Sequence, residues 1–275
     1  MTVLTGLPNY PTGQIFEEYL ADTEKFSNYK GVRILRVPLF SRGNGALRLL
    51  LNYLSFSIAA CVLGPWKLRS QKFDVVLTCQ LSPVTVGLPG AFLAWQKNAP
   101  MIMWVLDLWP DTLKAIGVVK SSKLLAYIGL FVGFIYRRCD LIFAQSRSFV
   151  PKIQSLAGPR IPVVYFPGWA EDVFQAEVLT PAPEVPVKDA VFNIMFAGNV
   201  GEAQDFECIL SAATLLKEHS KIRWLIVGDG RMWQWVRTEV ELRGLAECVL
   251  LLGRHPVERM PEFFLLADAM LVTLA

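Results

Sequence analysis

Residues 192–213 read FNIMFAGNVGEAQDFECILSAA, and the three parts of that stretch set the architecture. An apolar run of strand length ends at Gly198, a second glycine follows at Gly201, and a helical pattern begins a few residues later. Strand, glycine turn and covering helix form the repeating unit of a parallel α/β sheet. Ligands of such sheets sit beyond the carboxyl ends of the strands, so the turn is also a candidate site. Yet Gly198 to Ala203 contain no basic residue. Two readings stay open. In one, backbone N–H groups and the helix N-terminus receive a phosphate, with Asn199 and Gln204 as neutral donors. In the other, a tight turn simply needs small residues. The pattern is neither a GxGxxG fingerprint nor a P-loop.

The unit recurs along the chain. TVLTG, GVRILRV, FDVVLTC, MIMWVLD, DLIFAQS and IPVVYFP read as strands in the first half. FNIMFAG, IRWLIVGDG, CVLLLG and DAMLVTL follow in the second, with helices expected near 205–219, 231–243 and 257–267. Met260, Phe263, Phe264 and Ala267 give the last helix a buried stripe. The fold class is therefore α/β, with two Rossmann-like domains whose parallel sheets are covered by helices. The expected boundaries are 1–174, a linker over 175–190 containing three prolines, and 191–275. A doubly wound domain normally opens with a strand and helix ahead of TVLTG and does not close on VTLA. Truncation at both ends is expected.

Hydrophobic residues make up 53% of the chain and charged residues 19%, which excludes disorder and leaves room for membrane contact. Residues 1–170 carry 18 Lys+Arg against 8 Asp+Glu, whereas 171–275 carry 9 against 16. A basic, apolar-rich half suits an anionic membrane surface. No basic run interleaved with aromatics points to nucleic acid. Two segments, 49–66 and 124–136, are free of charge; Arg42, Arg48, Lys67 and Arg69 flank the first, and Arg137 and Arg138 follow the second. Core helices, helices lying in a membrane interface, and (for the longer segment) a span all remain open. Trp66, Arg137 and Arg138 are the membrane-facing candidates. The five scattered cysteines, without a CxxC, read as reduced, buried thiols. Two histidines leave little for a His-based metal site, and no cleavable signal peptide is expected.

Other candidates also follow strands: Gly228, Asp229 and Gly230, then Gly253, Arg254 and His255, and in the first half DLWPD, 107–111. The Gly228–Gly230 turn is a ligand loop or mere punctuation. Asp107 orients a substrate hydroxyl or caps backbone N–H groups. Pro110 fits the first turn of a helix with Trp109 as N-cap, and Trp109 forms a sugar-stacking wall or part of the core. Arg254 reaches an anion or only solvent; Arg231 reads as a solvated helix residue, and His255 as a loop residue rather than a catalyst. No DxD clamp or GxSxG elbow occurs.

TVLTGLPNYPTG, WVLDLWPDTLKAIG, VYFPGWAEDVF, FAGNVGEAQDFECILSAA, VGDG and LGRHPVERMPEFFLLADAMLV, in that order, resemble family 4 glycosyltransferases of the GT-B fold. Within them they are similar to bacterial fucosamine transferases of O-antigen and capsule synthesis. The resemblance implies sheets facing across a cleft and a retaining transfer from a nucleotide-diphosphate sugar, without metal or cofactor. The implied acceptor is a polyprenyl-diphosphate-linked sugar at the inner face of the plasma membrane. It assigns Gly198, Asn199, Gly201 and Gln204 to the diphosphate loop. Gly228, Asp229, Gly230, Arg254 and His255 fall to the nucleotide wall, and Asp107 to the acidic cleft position. Trp109 and Pro110 fall on the acceptor side. Many relatives carry Arg and Lys where this chain has Asn199 and Gln204, and a His where it has Leu106. The family's opening glycine-rich loop and its acidic C-terminal motif are absent. A nucleotide-sugar epimerase of the same fold and a truncated, non-catalytic, membrane-associated remnant are the alternatives.

Overall fold

The computed structural model describes all residues except 10–12, 42–45, 116, 176–179, 187–189 and 275, and omits the side chains of 46 and 175. Arg42 thus lies outside the described residues, as does part of the expected linker. Two compact units form, Met1–Gly168 and Trp169–Ala275.

In the first unit the strands are β1 (Thr2–Gly6), β2 (Asn28–Tyr29), β3 (Val32–Val37), β4 (Val76–Gln80), β5 (Met101–Val105), β6 (Leu141–Ala144) and β7 (Val163–Tyr165). The helices are α1 (Glu17–Ala21), α2 (Ala46–Lys67), α3 (Gly87–Lys97), α4 (Asp111–Ala115), α5 (Ser122–Tyr136) and α6 (Phe149–Ala157). The strands make two sheets where one doubly wound sheet was expected. One is β1-β3-β2, with β1 and β3 parallel; the other is β4-β5-β6-β7, parallel throughout. The short antiparallel β2 escapes the apolar pattern. It is set by a two-residue turn, Lys30 and Gly31, both with positive φ.

Strands β4 to β7 lie in sequence order, so right-handed crossovers put α3, α5 and α6 on one face of their sheet. Met101, Met103, Val105 and Ile142 pack there against Val132, Ile135, Tyr136 and Ile153. The opposite face carries the exposed Leu77 and Val164, so helices do not cover both faces as expected. Cys139 is buried in the core and its thiol is pushed up to about 12, by burial and then by Asp140. Cys79 and Cys208 are exposed, which corrects the reading of all five thiols as buried.

The second unit has strands β8 (Phe192–Ala197), β9 (Ile222–Val227), β10 (Val249–Gly253) and β11 (Ala269–Met270), and helices α7 (Phe206–Leu215), α8 (Trp233–Leu242) and α9 (Met260–Phe264). Its sheet is fully parallel, ordered β10-β9-β8-β11. Alternate residues serve opposite faces: Phe196, Trp224 and Ile226 meet the α7–α8 side, while Met195, Leu225 and Val227 meet Phe263 of α9. Burial on both faces is why these strands read as unbroken apolar runs. The expected linker contributes to this unit. Ala182 and Val185 are buried, the Ala182 N–H donates to Glu262 O at 3.1 Å, and Arg223 Nη1 donates to Pro186 O at 2.7 Å. Small apolar residues between the prolines make the segment a strap on α9.

Candidate functional site

The chain leaves β8 for β9 and β10 on one side, then returns to place β11 on the other, so the sheet's topological switch point lies between β8 and β11. A crevice outside the carboxyl ends of those strands is where ligands of open α/β sheets bind. Here it is bordered by the 198–204 loop and the 272–274 segment, which touch: Thr273 Oγ1 donates to Gln204 O.

The glycines of this region answer to backbone packing. A Cβ at Gly228 (φ +140°) would lie 1.8 Å from Gly198 O, and one at Gly230 would lie 2.3 Å from Val200 O. The 198–201 and 228–230 loops therefore lie backbone against backbone. Gly198 N–H donates to Val227 O at 2.9 Å, Val200 N–H to Asp229 O at 2.9 Å, and Met232 N–H to Val200 O at 3.0 Å. This alters the expectation of N–H groups waiting for an anion, because those of Gly198, Val200 and Gly201 are already engaged within the unit. The helix end is engaged too. Asp205, at φ +45°, caps α7 by accepting from Cys208 N–H at 3.2 Å, so a carboxylate of the chain itself occupies the positive terminus.

Side chains of the loop add to its hydrogen-bonding groups. Asn199 is exposed, and its amide and that of Gln204 both lie against Gly201, where a Cβ would come within 2.5 Å of Asn199 Nδ2 and 2.8 Å of Gln204 Oε1. Gln204 Oε1 is buried with no hydrogen-bond partner among the described residues. Asp229 Oδ1 accepts from Gly230 N–H at 2.7 Å and so shapes its own turn. Arg254, just past β10, and Arg231, just past the glycine turn, are exposed. β10 and the turn are joined where Gly228 N–H donates to Gly253 O at 2.7 Å. The positive charge the loop lacks thus stands on the neighbouring loops. His255 is held in place: Nε2 bonds Leu252 O at 3.0 Å and the ring lies 4.5 Å from that of Phe263. Beside it Arg259 binds Glu184 at 2.6 and 3.0 Å and Glu262 at 2.7 Å, holding the Glu184 carboxyl down to about 2. This cluster is invisible to any local pattern, since Glu184 sits 75 residues from Arg259.

In the first unit Asp107 lies two residues past the end of β5. Among the described residues its carboxylate caps no backbone N–H; it accepts from Trp109 Nε1 at 3.1 Å and from Thr112 Oγ1 at 2.5 Å. Trp109 is thereby oriented by Asp107, and Thr112 is a partner that the sequence reading missed. Below it, the fully buried Gln80 donates to Asp107 O at 2.8 Å. Tyr136, also buried, has its hydroxyl pKa raised by burial first, then by Cys139 and Asp107. Helix α4 opens at Asp111, so Trp109 is not its N-cap; Thr112 and Lys114 N–H reach back to Leu108 and Pro110 carbonyls. Asp111 pairs with Lys152. Pro110 and Arg137 line one groove of about 390 Å³ with Leu125, Gly129, Leu130 and Leu156. Trp66 and Arg138 stand at the ends of α2 and α5, both exposed.

Residues 183–275 match the family described as Glycosyl transferases group 1. The putative colanic acid biosynthesis glycosyl transferase WcaI of Escherichia coli (strain K12) is 26% identical over 254 residues, 88% of this chain and 61% of that protein. The probable glycosyltransferase WbjE of Pseudomonas aeruginosa is 27% identical over 220 residues, 75% and 52%. The chain thus spans little more than half the length of these relatives. Among solved structures, Anabaena HepE in complex with UDP and glucose is similar with a TM-score of 0.60 at 11% identity, over 100% of this chain and 74% of that one. The chain has the GT-B fold, and its segment 183–275, which holds the β8–β11 switch point, is the part that matches the group 1 glycosyl transferases.

Proposed function

We propose that the chain is a retaining glycosyltransferase of cell-surface polysaccharide synthesis. It moves a sugar from a nucleotide-diphosphate donor to a polyprenyl-diphosphate-linked acceptor at the inner face of the plasma membrane. The observation that carries this reading is the coincidence of the switch-point crevice with the segment that matches the group 1 family. Support for the donor class comes from HepE, which was solved with UDP and glucose. Support for the pathway comes from WcaI, whose name assigns it to colanic acid biosynthesis.

In this reading the second unit holds the donor. Asn199 and Gln204 donate amide hydrogen bonds to the diphosphate, and Arg254, with Arg231, supplies the charge that the glycine loop lacks. The first unit holds the acceptor, with Asp107 presenting a carboxylate oxygen to its hydroxyl and Trp109 walling the sugar. The departing phosphate takes the acceptor's proton, so electrostatic support of the leaving group matters more than a side-chain base.

Calorimetry with nucleoside diphosphates tests donor binding. Asn199→Ala with Gln204→Ala, and separately Arg254→Ala, are each expected to weaken it about tenfold or more. Unchanged binding in both variants rejects the assignment. Incubation with labelled donor, with and without lipid acceptor, separates transfer from epimerisation by the product formed.

A further inference from the structure

Helix α2 is inside out by the standards of a soluble surface. Its inner stripe is small and polar: Asn52, Ser57, Ala60 and Gly64 are buried. Asn52 Nδ2 donates to Phe40 O at 2.5 Å and Ser57 Oγ to Thr85 O at 3.1 Å. The outer stripe is large and apolar, with Leu51, Leu54, Ile58, Val62 and Trp66 at intervals of three or four, 39–65% exposed. A helix dissolved in water places these classes the other way round. By length and composition α2 is able to cross a bilayer. The polar bonds of its inner stripe, however, fix it along the unit, with one face only turned outward.

Its neighbours repeat the pattern. On α5, Val132, Ile135 and Tyr136 point inward, while Leu124, Tyr127, Leu130 and Phe134 are 42–70% exposed. On α3, Phe92 and Trp95 stack on each other at 5.8 Å and are exposed. Helix α3 packs against both α2 and α5, so the three belong to one layer.

The charge on this layer has one sign. Residues 46–69, 84–99 and 121–138 contain seven Lys and Arg and no Asp or Glu. The basic residues cluster toward the helix ends, and two are built alike. Arg69 lies over Trp66 at 5.0 Å and donates to its carbonyl at 3.0 Å; Arg138 lies over Phe134 at 3.5 Å and donates to its carbonyl at 2.9 Å. Each apolar stripe thus ends in an aromatic ring under a guanidinium, the pairing suited to the boundary between acyl chains and headgroups.

We infer that the outer surface of α2, α3 and α5 is a docking face for an anionic lipid bilayer, with the three helices lying in the plane of its interface. The apolar stripes supply burial, and the acid-free basic ends supply attraction to anionic headgroups. This deepens the proposed function by giving the lipid-linked acceptor a surface on which to meet the enzyme.

The test uses the full chain, without donor or acceptor, sedimented with vesicles of phosphatidylcholine alone or mixed equally with phosphatidylglycerol. Expected are binding to the mixed vesicles, much weaker binding to phosphatidylcholine, and loss of binding as salt rises. Two variants follow, both confined to exposed positions: Arg69→Glu with Arg138→Glu, and Ile58→Ser with Val62→Ser and Tyr127→Ser. Each is expected to lower partitioning about tenfold or more with little change in Tm. Binding to neither vesicle, equal binding to both, or unchanged binding in both variants overturns the inference. So does a concentration-dependent dimer that the apolar variant dissolves while vesicles have no effect, since a second copy would then cover the face. Transfer to a short-chain, water-soluble acceptor is measured separately. Transfer without vesicle binding sinks only the docking face, and vesicle binding without transfer sinks only the proposed function.

Discussion

Helices α2 and α8 each press one face onto a core and show the other to the surroundings, yet the shown faces are opposites. On α8, Val236 and Val240 are buried while Arg237 and Glu241 are exposed and paired at 3.6 Å. Across from it, Glu207 of α7 binds Arg243, which also binds Glu239. On α2 the paired charges are replaced by Leu54, Ile58, Val62 and Trp66. The second unit follows the rule for a water-facing helix, and the first departs from it on three adjacent helices. Isolated exposed leucines such as Leu215 and Leu242 in the second unit are ordinary; a run of them along a stripe is not.

The contrast is broken most directly by placing the same charge on both helices. Val236→Asp, at a fully buried position, is expected to cost at least about 3 kcal/mol, because it leaves an uncompensated charge in the core. Ile58→Asp is expected to stay within about 0.5 kcal/mol in water, since it is 63% exposed. Urea denaturation measures both, and equal losses would mean that α2 is covered. Next in size is Gly228→Ala, expected to cost about 3 kcal/mol by overpacking and backbone strain, with a Cβ driven onto Gly198 O. A normal melt for this variant would dismiss the packing of the two loops that borders the switch-point crevice.

The smallest effect sharpens the electrostatic side of the contrast. Glu184 is held near 2 by Arg259, below its ordinary 4.5. A depressed carboxylate contributes stability above its ordinary value and loses it as pH falls through the folded one. Arg259→Met should therefore lower the Tm of the second unit near neutral pH, with the gap closing between about pH 4.5 and 2. A gap that widens in acid would contradict the ion pair.

Much of the fold was legible. Strands from TVLTG to DAMLVTL could be read because each carries an apolar run, unbroken in the second unit where both faces are buried, and glycines marked the ends of β8, β9 and β10. The helix expected over 257–267 holds its stripe but is α-helical only from Met260 to Phe264, with Val257–Arg259 forming a tighter turn ahead of it. The strap at 180–186 was hidden because its prolines look like a linker, and its burial depends on α9, some 75 residues away. At the site, the residues after each strand could be found by topology. The occupation of the loop N–H groups could not, because their partners at Val227 and Asp229 are set by the packing of one loop on another. Thr112, which shares the Asp107 carboxylate with Trp109, carried no pattern that would single it out.

The sequence alone determined where most strands, turns and helices fall and that charge divides between the halves, because periodicity and composition are local properties of the chain. Tertiary structure alone decided which face of α2 looks outward and that the N–H groups of Gly198 and Val200 are taken by Val227 and Asp229. These depend on which distant backbone atoms come within hydrogen-bond reach, and no window of neighbouring residues records that.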